Sequence, residues 1–241
     1  ATEEVDGGFL KEHQLPDGNI YKIDGYSPNP KHLARGGATN LADARAFLRD
    51  LSTHPGGLAP LGQDNWWRAS VDLPRYYSYR AVLEGVHHYD LDAGKNYFFF
   101  HNLTAKRWQV IPWDVDLTWG ERMFGEGNEP FFQPVLQSSP VLRGEYQERL
   151  AELMDLLLNP EQIHRLIDEY AGLIWEGAGR PSLVDADRCQ WDYNPVMSSK
   201  YVMPGKTGPG QYYEADPNNR FDVMIAGMKQ FAVGRQFYLK R

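Results

Sequence analysis

The chain has a single cysteine, Cys189, in 241 residues. That excludes an internal disulfide and a zinc cluster built on thiolates, and the lone thiol reads as a packing residue rather than a nucleophile. Lysine-rich and arginine-rich runs are absent, and the formal net charge is -7. A nucleic-acid surface draws its affinity from neutralising phosphates, so none is expected here. A single nucleotide, which needs only a metal and a few donors, is not excluded. No apolar run approaches the ~20 residues that cross a bilayer, so no membrane span is expected. Repeats and low-complexity tracts are also missing. The chain opens Ala1-Thr2-Glu3 with no Met and reads as a fragment or processed form, so the lack of a signal peptide says nothing about compartment.

What is present supports a packed core. Hydrophobic residues make up 42% and aromatics 13% of the chain, which argues against wholesale disorder. With no convincing linker, one domain spanning residues 1–241 is expected. Residues 1–24 read as strand, turn, strand, with the turn at Pro16-Asp17-Gly18-Asn19. Asn40 reads as an N-cap for a helix that places Leu41, Ala44, Phe47, Leu48 and Leu51 on one face. A second helical pattern runs from Ala69 to Val86, with Val71, Tyr76, Tyr79, Val82 and Leu83 as core. Two strands, Tyr97 to His101 and Trp108 to Pro112, flank a turn around Asn102–Lys106. Helices are expected from about Gly144 to Leu158, with Tyr146, Leu150, Leu153, Met154 and Leu157 inward, and from Glu161 to Trp175. Asn159-Pro160 separates them. Residues 177–219 read as a long loop, and a closing helix runs from Arg220 to Tyr238.

Chemistry concentrates between His88 and Asp116. Asp90 opens this stretch, and Asn96 stands six residues later, at the mouth of the aromatic strand. A second apolar strand then leads into Trp113-Asp114-Val115-Asp116. Side chains alternate in a strand, so Asp114 and Asp116 are expected to share one face just past Val110-Ile111. Two like charges that close need a cation or donors to offset them. An isolated Asp-x-Asp pair reads more readily as loop caps; with Asp90 and Asn96 across a hairpin, the metal-facing reading prevails. Asp92 rivals Asp90 as a base, since either suits a turn, but Asp90 is the better anchored, at the end of a helix. Adjacent His87 and His88 point different ways on a helix and read as structural. Pro204-Gly205-Lys206-Thr207-Gly208 fails as a phosphate loop, because Lys200 occupies the position of the required first Gly. Asn102-Leu103-Thr104 is a glycosylation triplet of a kind common by chance.

These residues carry a resemblance. His88-Tyr89-Asp90, Lys95-Asn96-Tyr97-Phe98-Phe99-Phe100, Trp108 and Ile111-Pro112-Trp113-Asp114-Val115-Asp116-Leu117-Thr118-Trp119-Gly120 resemble the central pattern of the CotH family of spore-coat-type atypical protein kinases. Asp17-Gly18-Asn19-Ile20-Tyr21-Lys22 resembles the family's D-G-N-L-Y-K turn, and Phe221 to Tyr238 its closing helix. The resemblance implies an α+β, protein-kinase-like fold: a mainly helical C-lobe with small antiparallel hairpins carrying the catalytic and metal loops. It implies Asp90 as the base that orients an acceptor hydroxyl. Asn96 and Asp114 become holders of Mg²⁺ (or Mn²⁺) with ATP, Trp108 a residue near the nucleotide, and Asp116 a further metal residue or a brace of the loop. The partner implied is a protein with Ser or Thr acceptors, in an extracellular, cell-surface or coat setting. The Asp90–Asn96 loop is one residue longer than the family pattern. The small lobe with its phosphate-gripping Lys is expected upstream of Ala1, and neither Lys22 nor Lys95 is assigned that role.

Two other functional classes compete with this reading. A metal-dependent glycosyltransferase using Asp114-Val115-Asp116 would need a parallel nucleotide-binding sheet, whereas the strands here read as hairpins. A non-catalytic, pseudokinase-like coat or surface scaffold is the other, against which the intact Asp90, Asn96 and Asp114 set argues.

Overall fold

A computed structural model describes residues 3–24, 27–35, 41–53, 63–92, 94–120, 127–191 and 220–240. Its elements are a mixture of helices and one small antiparallel sheet, an α+β arrangement. Contacts divide the chain into two compact units. The first comprises Ala1–Leu83, Asp90–Leu117 and Glu126–Leu150; the second comprises Glu84–Tyr89, Thr118–Gly125 and Ala151–Arg241.

The first unit is built on four strands, β1 (Asn19–Asp24), β2 (Ser27–His32), β3 (Tyr97–Asn102) and β4 (Arg107–Pro112), in the order β2-β1-β3-β4. Strand β3 is buried along most of its length because both faces of the sheet are covered, which explains its unbroken aromatic run. Phe98 and Phe100 join Val5, Leu10, Ile20 and Ile111 on one side. On the other, Phe99 meets Phe47, Trp108 and Phe131. Edge strand β2 carries Pro28 and Pro30, which cannot donate to a further strand.

Helix α1 (Gly7–Glu12) replaces the opening strand expected from the sequence. Asp6 is the reason: its Oδ1 accepts from the backbone of Gly8 and Phe9 and caps the first turn. Helix α2 (Ala42–Thr53) follows expectation, although its expected cap, Asn40, lies outside the described residues. The single helix expected from Ala69 to Val86 is two elements, α3 (Gln63–Ser70) and α4 (Leu73–Val86). Between them Val71 forms a bridge to Trp108, and Asp72 N donates to Trp108 O. The sheet therefore takes the backbone that would have joined the helices. Val82, expected in the core, is exposed.

After β4 come a short π-helical segment, Phe132–Gln137, and α5 (Pro140–Leu156). In the second unit α6 (Pro160–Ile174), capped by Asn159, packs Ile163 and Ile167 against Ala232 of α8 (Phe221–Leu239). Helix α7 (Leu183–Trp191) occupies part of the stretch expected to be loop. Leu157 is exposed, contrary to expectation.

Candidate active site

Asp90 is buried. One carboxylate oxygen accepts from Lys95 Nζ at 2.5 Å and the other from Asn96 Nδ2 at 2.9 Å. The same amide nitrogen also donates to the Asp90 backbone carbonyl at 2.7 Å. Both amide hydrogens of Asn96 are thus committed to Asp90, which leaves the amide oxygen as its remaining polar atom. The loop between them is tight. Lys95 N donates to Asp92 O at 2.9 Å, and Gly94 N donates to the Tyr97 hydroxyl at 2.7 Å. Gly94 sits at φ 78, a region where a side chain is strained.

Asn96 itself has φ 66. Asn tolerates this left-handed conformation better than most residues. Its carbonyl accepts from Trp113 N at 3.1 Å, one step beyond the β3–β4 ladder. The chain then turns at Asp114, whose φ is 54. The extended strand therefore ends at Pro112, and the simple alternation expected to put Asp114 and Asp116 on one face does not apply. Both aspartates are exposed. Neither has a hydrogen bond or ion pair among the described residues.

Asp90, Lys95, Asn96 and the start of the Asp114 loop are thus brought together. Asp92 is exposed while Asp90 is buried. Trp108 lies elsewhere, at the other end of β4. It precedes Asp114 by six residues, roughly 20 Å along an extended chain. One face of its ring stacks on Phe47 at 4.3 Å and the other on His101 at 4.4 Å. A cleft of about 190 Å³ beside it is lined by Asp43, Phe47, Asp50, Trp66, Ser70 and Lys106 among others.

That end of the sheet holds an acid cluster the sequence did not suggest. Asp43 accepts from Tyr21 Oη at 2.7 Å, Asn19 Nδ2 at 2.9 Å and His101 Nδ1 at 2.7 Å. Burial would raise its carboxyl, but those three hydrogen bonds outweigh burial and hold it below the ordinary carboxylate value. A second unforeseen group is Glu129, buried against Tyr76 and Arg80. Nothing local in the sequence marks either, since the partners lie 22 to 58 residues from Asp43 and 49 to 53 from Glu129.

Other motifs resolve simply. Asn102 Oδ1 accepts from Thr104 N and Ala105 N and shapes the β3–β4 turn, so the glycosylation triplet has its Asn buried and engaged. His87 is bonded to the Gly120 carbonyl and stacked on Phe231, a structural role. The Gly-rich stretch at residues 204–208 lies outside the described residues.

A family model described as CotH kinase protein matches residues 1–197. The chain belongs to the CotH kinase family. No curated protein matches it. The family match includes every residue of the Asp90–Asn96–Asp114 cluster and stops before α8.

A kinase of this family implies a divalent metal and ATP, and the donors can be tested for fit. Among the described residues no three His, Cys, Asp or Glu side chains form a ready cation cage. Mg²⁺ does not require one. It favours one or two carboxylates completed by phosphate oxygens and water. The Asn96 amide oxygen and the unpartnered Asp114 and Asp116 are hard oxygen donors of that kind, on backbone joined by the Trp113–Asn96 hydrogen bond. The donor chemistry fits.

Proposed function

We propose that this CotH-family chain carries a kinase-like catalytic site. It would transfer the γ-phosphoryl group of ATP to a Ser or Thr hydroxyl of a protein substrate, with Mg²⁺ or Mn²⁺ as cofactor. The observation that carries this reading is Asp90, buried and held at both carboxylate oxygens and bonded to an Asn whose oxygen is left over, with the exposed Asp114, which has no partner among the described residues, on the adjoining backbone.

Asp90 is the base in this reading. Its hydrogen bonds to Lys95 and Asn96 fix the carboxylate in one orientation, while lone pairs remain to accept the acceptor hydroxyl's proton. As that oxygen bonds to the γ-phosphorus, the bond to the β–γ bridging oxygen breaks and ADP leaves. Asn96 and Asp114, with Asp116 as a further ligand or brace, would hold the metal. The metal, when bound, neutralises charge on the phosphates. The left-handed backbone at Asn96 and Asp114 supports a functional role, because such conformations are costly and cluster where positioning matters. Trp108 and its cleft are assigned to the base end of the nucleotide; with both faces of its ring covered, it would act there as a wall.

The antiparallel sheet offers no support for a glycosyltransferase, which would need parallel strands at its nucleotide site. The test is γ-phosphate transfer by the full-length protein. Asp90→Ala and Asp114→Ala should each remove transfer while leaving the fold intact. Wild-type rates in both variants would end the proposal. Nucleotide-sugar binding with Mn²⁺, measured by calorimetry, would favour the glycosyltransferase instead. Absence of any metal-dependent nucleotide binding would favour a scaffold.

A further inference from the structure

The stretch Gly127–Glu129 touches the base-bearing loop in one place and a buried ion pair in another. Gly127 packs on Leu91 and Asp92 so closely that a Cβ there would lie 2.6 Å from the Leu91 carbonyl oxygen and 2.5 Å from Asp92 Oδ1. The Asp92 side chain could swing aside. The Leu91 carbonyl could not move without moving the peptide next to Asp90, and Leu91 is only 1% exposed. Gly127 is therefore required by approach, not by φ.

Two residues on, Glu129 is 2% exposed. It accepts from the Tyr76 hydroxyl and, at 3.2 Å, from Arg80, whose guanidinium also lies 4.2 Å from the Phe132 ring. Phe131, completely buried, packs edge-on against Trp67 and Tyr76 and stacks on Phe99. An ion pair this deep is a poor source of stability, because desolvation cancels most of its attraction and apolar residues of similar volume often serve as well. It does impose direction, since the carboxylate must meet two donors fixed on α4. The aromatic packing supplies the adhesion, and Glu129 supplies the register.

We propose that Gly127 and Glu129 are positioning residues: Glu129, locked to Tyr76 and Arg80 of α4, seats Gly127 against Leu91–Asp92 and so fixes the loop that presents Asp90. The role in catalysis rests on the kinase reading; the seating itself does not.

The experiment compares the full-length wild type with Gly127→Ala and with the double variant Arg80→Met/Glu129→Met, which replaces the ion pair by apolar side chains. Three quantities are read: the urea midpoint, amide hydrogen exchange at Leu91 and Asp92, and kcat and KM for MgATP. Both variants should keep a cooperative transition. Exchange at the two amides should rise about tenfold. In Gly127→Ala, kcat should fall by up to about 10²-fold, with KM for MgATP within about twofold, because the loop rather than the nucleotide site is displaced. Unchanged exchange in a folded Gly127→Ala protein overturns the inference. So does a rise in KM with kcat preserved. If the wild type transfers no phosphate, the kinase reading fails, yet exchange at Leu91 and Asp92 still decides whether Gly127 seats the loop. Should Gly127→Ala not fold, the double variant decides the question by the same exchange readout.

Discussion

The β3–β4 ladder has acids at both ends, and they are treated in opposite ways. At the Trp108 end, Asp43 is surrounded by Asn19, Tyr21 and His101, and its lone pairs are consumed by protein donors. At the Trp113 end, Asp90 is oriented by two donors, while Asp114 and Asp116 stand exposed. The first cluster ties α2 to β1 and β3, and the Asp43 carboxylate itself has little capacity left for a ligand. The second keeps oxygen atoms available where the backbone adopts left-handed conformations. Residue type alone does not separate an aspartate engaged by the protein from one left exposed. The number of lone pairs already satisfied does.

The largest expected effect breaks the comparison on the chemical side. Asp114→Ala should lower phosphate transfer by about 10²–10³-fold, as loss of a preorganised charge contact does. Its urea stability should stay within about 1 kcal/mol of wild type, since an exposed residue with no partner among the described residues is removed and the remaining cost is that of Ala at a left-handed φ. A large loss of stability would mean that Asp114 is structural after all. Next is Trp108→Ala, which removes a ring packed between Phe47 and His101. Denaturant melts should show a cost of about 3–5 kcal/mol, and a near-neutral result would show that the stack does not hold that end together.

Asp43→Ala should destabilise by about 1–3 kcal/mol, because three donors lose their acceptor. Transfer per folded molecule should persist, and its loss would show that Asp43 serves the reaction as well as the fold. The smallest effect is a pH slope. Asp43's folded pKa lies below the ordinary value of 3.8. As pH falls, the unfolded chain takes up this proton first. The stability contributed is therefore complete above the ordinary value and is lost as pH drops through the lower, folded one. Urea midpoints taken from about pH 5 to about pH 3 should decline less steeply in Asp43→Asn than in wild type. Equal slopes would remove Asp43 from the acid response.

The structure of the Trp113 end was readable because everything in it is near in sequence. Asp90, the turn, Asn96, the aromatic strand and Asp114 occupy 25 consecutive positions, 90 to 114, and strand and turn signals are local. The helices α2, α5, α6 and α8 were legible from apolar spacing and caps. Helix α1 was not, because Gly7 and Gly8 are poor helix formers and only the Asp6 cap reverses that. The break at Val71-Asp72 was hidden because periodicity continues across it; the Trp108 backbone draws those residues into the sheet. Glu129 was invisible for the opposite reason. A glutamate is almost never fully buried, so sequence reasoning places it in solvent unless Arg80 and Tyr76 are known to face it.

The sequence by itself determined the β3–β4 hairpin and that Asn96 and the segment leading to Asp114 would lie side by side at its open end, since adjacent strands with a short turn leave few alternatives. It could not determine which aspartate is consumed by protein donors and which is left exposed. Satisfaction of a carboxylate depends on donors brought from tens of residues away, and only the packed sheet, with α2 against one end and the Gly127–Glu129 segment against the loop at the other, decided that.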